Sequence, residues 1–508
     1  MFFSRAAAAR CRKTHGWKIV LGLAACLPWL VQCTPNRAYR DQDTRPWRQT
    51  PQAPFVSGQQ MPQYEPYASA ANPAHPFDLS YIEFDEKGDF WDRRQLAWTA
   101  QEIRRAAQTN NVVLVVYVHG WQNDASDLRG HDVAKFHCLL ERLAEAQGKS
   151  RRFFGVYLSW RGKSVPGGDG WYPNGSVADA AAKALFFLPH ELSFFGRKNA
   201  ATRVAGMPMT EAIFETVRAS RTGARESGRL TRSILIGHSF GALVVEKALA
   251  QALAAQVITS DGAHENNFVA PADFIVLLNS AGESIYAKEM QDLLRRRHTP
   301  VGGGGGGNSI TARQPLIVSV TSTADFATGK FFPLGTGLSN AGGGFRKYEW
   351  DTRYGASSHN VDQREYFTTT PGHNDHLVSH RAVPETTPAP PTLSDDDGCS
   401  PNMLSAVNAN LTEPLVGPDS AVRFVTMPGG GPATYWTLKP IHGVIQTPYW
   451  IVEVPREIMR DHSDIFNENS LALLARLFRL SNPAQAPGIT ISAQPRTMRL
   501  VAPGVMTP

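Results

Sequence analysis

Ser233-Ile234-Leu235-Ile236-Gly237-His238-Ser239-Phe240-Gly241-Ala242-Leu243-Val244-Val245-Glu246-Lys247-Ala248-Leu249 is the stretch from which the rest of the chain is read. Its first four residues form a short apolar run, its middle is Gly-x-Ser-x-Gly, and its end carries strong helix formers. A bare Gly-x-Ser-x-Gly arises easily by chance in a chain with 43 glycines. A strand before it and a helix after it are the context that gives it meaning. The serine must then sit on a very tight turn, with its hydroxyl projecting above a sheet. Side chains at Gly237 and Gly241 would collide with the neighbouring strand and helix, which explains both glycines. The helix N-terminus also favours negative charge developing nearby. Ser239 is therefore the candidate nucleophile.

Outward from this stretch, short apolar runs alternate with helical spacing. The runs are Val112–Val118, Phe153–Ser159, Phe274–Leu278, Leu316–Val320 and Tyr449–Val454. Continuous apolar runs of this length fit strands buried on both faces of a parallel sheet. Helical patterns occupy 94–107, 132–147, 209–222, 241–255, 284–297 and 470–480. The alternation predicts an α/β fold with a doubly wound, mostly parallel sheet. Leu79–Phe84 alternates like a strand, and the turn Asp85–Asp89 after it predicts a first hairpin. Residues 335–445, with Gly342-Gly343-Gly344, Pro388–Gly398 and Gly429-Gly430-Gly431, read as a long, largely irregular insertion before the last strand. Within it Arg423–Thr426 and Tyr435–Lys439 suggest a small hairpin. Gly302–Gly307 reads as a flexible loop, and 483–508 as a loose Pro-rich tail.

The run Val112–Val118 ends in His119-Gly120-Trp121-Gln122-Asn123. A His-Gly pair at a strand end, upstream of a Gly-x-Ser-x-Gly turn, resembles the oxyanion loop of lipases and esterases. From about residue 79 to 480 (a domain set at 77–482) the chain resembles the α/β-hydrolase superfamily. It is also similar to poorly characterised bacterial and fungal hydrolases with a V-H-G-W strand end and a G-H-S-F-G turn. Arg161-Gly162 after Leu158-Ser159-Trp160, and Phe195-Gly196-Arg197-Lys198, fit that likeness. The resemblance implies an oxyanion hole from the backbone N–H groups of Trp121 and Phe240. It also implies the order Ser, acid, His. Asp325, in Thr321-Ser322-Thr323-Ala324-Asp325 after the Leu316–Val320 strand, is the expected acid, with Glu283 as runner-up. His462, in Arg460-Asp461-His462-Ser463-Asp464 after the last strand, is the expected base; His442 precedes that strand. His373, His376 and His380 form a loose group in the insertion that reads as a polar loop rather than a metal site. No metal or cofactor is expected.

The chain has 508 residues and a net charge of +6, with the basic residues scattered. Such a diffuse excess argues against nucleic-acid binding, and the run Arg295-Arg296-Arg297 is too short to change that. Residues 1–33 read as an export leader. Arg5, Arg10, Arg12, Lys13 and Lys18 precede an apolar run, Ile19–Leu30, that is shorter than the ~20 residues a spanning helix needs. The leader resembles a bacterial lipoprotein signal, with Cys33 as the expected acylated residue and Cys26 as the alternative. Residues 34–76 read as an extended linker. Of the five cysteines only Cys138 and Cys399 lie beyond the leader, so a single bridge is the most they offer each other.

These readings converge on a serine hydrolase acting on an ester, with a hydrophobic or lipid substrate suggested by the aromatic residues in 161–200. Those residues would cap the site; packing of an added helix is the alternative. A membrane-anchored lipoprotein on the periplasmic face is the expected setting. A thioesterase, peptidase or acyltransferase would use the same residues, and a tethered binding scaffold would keep the fold without turnover.

Overall fold

The apolar runs lie side by side in one sheet. The computed structural model describes residues 37–41, 61–68, 76–126, 132–147, 151–162, 196–260, 270–296, 315–333, 336, 344–345, 349–351, 359–386, 403–412, 422–428, 431–441 and 447–481. The strands are β1 (Arg40–Asp41), β2 (Met61–Pro62), β3 (Tyr64–Ala68), β4 (Pro76–Phe84), β5 (Val112–Val118), β6 (Arg152–Trp160), β7 (Thr231–His238), β8 (Phe274–Leu278), β9 (Ile317–Ser322), β10 (Glu349–Asp351), β11 (His359–Val361), β12 (His380–Pro384), β13 (Val422–Thr426), β14 (Thr434–Pro440) and β15 (Tyr449–Val454). The α-helices are α1 (Arg93–Thr109), α2 (Asp132–Gln147), α3 (Met207–Ser227), α4 (Phe240–Ser260), α5 (Ser284–Arg296), α6 (Gln363–Thr368), α7 (Met403–Thr412) and α8 (Glu468–Ser481).

Eleven strands form one sheet in the order β13-β14-β12-β15-β9-β8-β7-β5-β6-β4-β3. From β12 across to β4 every neighbour is parallel. β3 on one side, and β14 followed by β13 on the other, complete the sheet in antiparallel fashion. Alternation along β5 shows how the sheet is covered. Val112, Leu114, Val116 and Val118 enter one core with Leu96 and Ile103 of α1, Ile213 of α3, Leu243 of α4 and Met290 of α5. Val113, Val115 and Tyr117 enter the other, with Phe136 and Leu140 of α2, Val407 of α7 and Leu473 of α8. Both faces of β5 are buried, so the strand is apolar at every position. The fold is mixed α/β with a large, mostly parallel sheet.

The strand order has one consequence for function. From β5 the chain steps to β6 on one side, then crosses to β7 on the other. The carboxyl ends of β5 and β7 therefore border the crevice where connections diverge to opposite sides, the usual ligand position in open α/β sheets.

Three expectations are corrected. Parts of the linker expected over 34–76 are built into the fold: β3 extends the sheet, and Arg40 is buried. Its guanidinium pairs with Glu65 at 2.6 Å, donates to the Ala125 carbonyl at 2.9 Å and lies 3.6 Å from the centre of the Tyr81 ring. Second, the hairpin after β4 shrinks to one bridge, Phe84 to Phe90, because the chain turns at once into α1. Third, the 335–445 insertion is not merely irregular. It supplies β12, inserted between β15 and the β13–β14 hairpin, and extends the main sheet by three strands. That hairpin falls where the sequence placed it.

Residues 1–33, Gly302–Gly307, His442, Cys399, the tail 483–508 and most of the aromatic stretch 161–200 lie outside the described residues. Cys138 is disulfide-bonded. Among the described residues one helix, Phe240–Ile258 within α4, is long and apolar enough to cross a membrane. It follows Ser239 directly and is 56% buried inside the protein.

Candidate active site

Ser239 is the single residue between β7 and α4, and its φ is +56°. A non-glycine residue in this left-handed region costs on the order of 1–3 kcal/mol and persists only where its surroundings fix it. Here its N–H donates to the Leu278 carbonyl at 2.9 Å, and its carbonyl accepts from Ala242 and Ala281 at 3.1 Å each. The turn is too tight for side chains on its flanks. A Cβ at Gly237 would sit 2.7 Å from Cα of Ala242, and one at Gly241 only 2.1 Å from the Val118 carbonyl oxygen. Among the described residues the other two non-glycine positions with positive φ, Gln122 (+67°) and Asn279 (+43°), follow β5 and β8 at the same carboxyl edge.

The structure brings the three sequence-predicted residues together from three separate loops. His462 Nε2 lies 2.8 Å from Ser239 Oγ, and His462 Nδ1 lies 2.8 Å from Asp325 Oδ2. Asp325 is 2% exposed. Burial alone would raise its pKa, but the facing His462, the Thr328 hydroxyl and the Thr328 N–H hold it below the ordinary carboxylate value. Burial works against protonation of His462; the Asp325 charge and hydrogen bond outweigh it and raise the imidazole above its usual value. With Asp325 ionised, Nδ1 carries the proton of neutral His462, which leaves Nε2 as an acceptor for the Ser239 hydroxyl.

The loop after β5 lies against the serine. A Cβ on Gly120 would come 2.8 Å from Ser239 Cβ, so the residue before Trp121 lies against the serine. His119 wires this loop to β6. Its Nε2 accepts from the Trp160 N–H at 3.1 Å, so Nδ1 carries the proton and donates to the Gly120 carbonyl at 2.8 Å. The Trp160 indole N–H returns a bond to the His119 carbonyl at 3.0 Å. Gly162 fixes the far side: its carbonyl accepts from Gln122 at 3.1 Å, and its N–H donates to Asn123 at 3.0 Å. Phe240, the other expected oxyanion donor, is buried as the first residue of α4.

Glu283, the runner-up acid, is not in contact with His462; it pairs with Lys198 at 2.6 Å. The three insertion histidines separate. His376 pairs with Glu365 at 3.3 Å, and His380 is buried in β12 against Trp450. His373 reaches Thr328 beside Asp325, at 3.1 Å. Among the described residues no group of three or more His, Cys, Asp or Glu is placed to hold a metal ion.

Two supporting residues escaped the sequence reading. Asn279 donates through Nδ2 to the carbonyls of His462 (2.9 Å) and Asp461 (3.2 Å), and accepts from the Ser322 N–H at 3.0 Å. His238, the variable residue inside the turn motif, donates Nε2–H to the same His462 carbonyl at 2.9 Å. Burial first, then the facing His462, pushes the His238 imidazole down to about 4, so it stays neutral near pH 7. The signal for His238 was its place in the motif; nothing local marks Asn279 except its position at the end of β8.

No protein-family model matches the chain, and no curated protein matches it. Among solved structures it is similar to an uncharacterized protein from Pseudomonas aeruginosa at 12% identity and a TM-score of 0.18, over 48% of this chain and 42% of that one. The chain thus spans less than half of that protein.

Proposed function

We propose that this protein is a serine hydrolase of the α/β-hydrolase type that cleaves esters through an acyl-enzyme intermediate. The observation that carries the reading is the continuous hydrogen-bonded series Ser239–His462–Asp325, with a left-handed serine at the switch point of the sheet. Ser239 Oγ attacks the ester carbonyl as its proton passes to His462 Nε2. The oxyanion is received by the N–H groups of Trp121 and Phe240, each donor of this kind being worth about 3 kcal/mol. The alkoxide leaves with the proton from His462, and the acyl group stays on Ser239. Water, deprotonated by His462, attacks that ester and releases the acid. Asp325 holds the imidazole tautomer and stabilises the imidazolium. The step needs no metal or cofactor.

The substrate in this reading is a hydrophobic ester or lipid, and the setting is an exported protein tethered through Cys33. A disulfide at Cys138 suits an oxidising compartment.

The test is labelling of the full chain with a fluorophosphonate probe, beside Ser239→Ala, His462→Ala, Asp325→Asn and Glu283→Gln. Ser239→Ala and His462→Ala lose the label, and ester turnover falls roughly 10⁴–10⁶-fold. Asp325→Asn drops turnover about 10⁴-fold while Glu283→Gln keeps it. A folded wild type that takes no label sinks the hydrolase reading.

A further inference from the structure

Thr328 sits behind the candidate acid and is 1% exposed. Its hydroxyl donates to Asp325 Oδ2, the same oxygen that receives His462, and its N–H donates to Oδ1 at 3.1 Å. A hydroxyl has one proton. An ionised carboxylate only accepts, so that proton is committed to Asp325. The Thr328 oxygen can then only accept from its other partner, His373 Nε2, at 3.1 Å. The direction of every bond is thereby fixed: His373 Nε2–H to Thr328, Thr328 O–H to Asp325, His462 Nδ1–H to Asp325, and Ser239 O–H to His462 Nε2.

Several contacts hold His373 in this position. It closes the one-turn 3₁₀ segment Pro371–His373, donating its N–H to the Thr370 carbonyl at 3.0 Å. A Cβ at Gly372 would lie 2.1 Å from the Thr321 side chain of β9, and one at Gly329 would lie 3.0 Å from the His373 ring. The turn is tied to α5 by Ser284, whose N–H and hydroxyl both donate to the Thr369 carbonyl, at 2.9 and 2.8 Å. The insertion therefore delivers an imidazole N–H to the back of the acid loop.

We propose that His373 is a positioning residue of the Ser239–His462–Asp325 site, acting through Thr328 on Asp325. The proposal rests on the hydrolase reading above. A donor bonded to the Thr328 oxygen polarises the hydroxyl and strengthens its bond to Oδ2. Part of the carboxylate charge is then already satisfied, and Asp325 pulls less strongly on the His462 proton. Loss of the His373 donor leaves Asp325 more basic and freer to turn. The groups that face His373 are Asp325, Glu453, Lys330 and His462.

The experiment measures p-nitrophenyl butyrate hydrolysis against pH for the full chain, its His373→Leu, His373→Gln and Thr328→Val variants, each also checked for fluorophosphonate labelling and thermal unfolding. His373→Leu lowers kcat about 10-fold, in the range typical of supporting-residue losses, with KM unchanged. It also moves the acid limb of kcat/KM upward by roughly half a pH unit. Thr328→Val shifts the limb the same way, and His373→Gln, whose amide still donates, stays within about 3-fold of wild type. Wild-type kcat and limb in a folded His373→Leu overturn the proposal. So does an equal loss in Leu and Gln variants without a limb shift, which marks a merely structural residue. Should His373→Leu not fold, His373→Ala, read by the same kcat and limb criteria, decides in its place. An unlabelled wild type instead overturns the hydrolase reading itself.

Discussion

The shape of the active-site pH profile is written in two residues. Activity in the proposed mechanism requires neutral His462 and ionised Asp325. Asp325 is held below its ordinary value, so it stays ionised across the working range. His462 is raised above 6.5 by the acid it faces, so kcat/KM rises with a midpoint above pH 6.5. The linkage has the opposite sign for stability. A His462 pKa higher in the folded than in the unfolded chain gives stabilisation that is complete below the unfolded value and is lost as pH rises through the folded one. The same titration that switches on turnover therefore weakens the His462–Asp325 pair. A pH–rate profile checks this; an acid limb at or below pH 6 refutes the assigned pairing. The strain at Ser239 belongs to the same scale, because the serine is held by the bond its N–H donates to the Leu278 carbonyl and those its carbonyl accepts from Ala242 and Ala281, rather than by its own preference.

At the scale of elements, legibility followed periodicity. β5 and β8 match the apolar runs end to end because both faces of each strand are buried, which leaves no ambiguous polar position; β15 matches its run too, with the half-buried Glu453 as its one charged position. The Gly-x-Ser-x-Gly turn was readable for a steric reason, since two backbones approach too closely for a Cβ. Asp325 and His462 were readable as loop residues after particular strands, once the family resemblance supplied the order. The insertion was opaque apart from its β13–β14 hairpin. Its strand β12, His380-Arg381-Ala382-Val383-Pro384, carries a histidine, an arginine and a proline and takes its strand form from β15 and β14 on either side. Asn279 and Thr328 were invisible because their roles depend on contacts with residues 183 and 3 positions away, fixed only on folding. The insertion's structural part can be tested directly. Removing residues 359–441 bares the N–H and C=O groups along one side of β15, an unprotected edge of the kind that drives association. Such a protein is expected to lose soluble yield and all fluorophosphonate label; a soluble, labelled product would show that β12 is dispensable.

The whole molecule is fastened at its N-terminal end by one buried cation. Arg40 is buried against Glu65, Ala125 and Tyr81, and the N–H groups of Tyr39 and Arg40 donate to the Glu83 carboxylate at 2.9 and 2.8 Å. Arg40→Ala leaves Glu65 without its charge partner in the interior and is expected to cost about 3–5 kcal/mol. Urea unfolding of the full chain measures it; a midpoint within error of wild type overturns the role given to Arg40. Glu83 lies near the carboxyl end of β4 and Ala125 in the loop that carries Trp121, so Arg40 sits at the same edge of the sheet as Ser239. This arginine is only seven residues beyond Cys33. Seven residues reach at most ~25 Å when fully stretched. In the proposed reading, an acyl chain on Cys33 would therefore work as a short leash fastened at the same edge of the sheet as Ser239. In that reading the protein would graze the leaflet that holds it, searching in two dimensions, and an ester on a facing membrane would lie out of range however well it fitted.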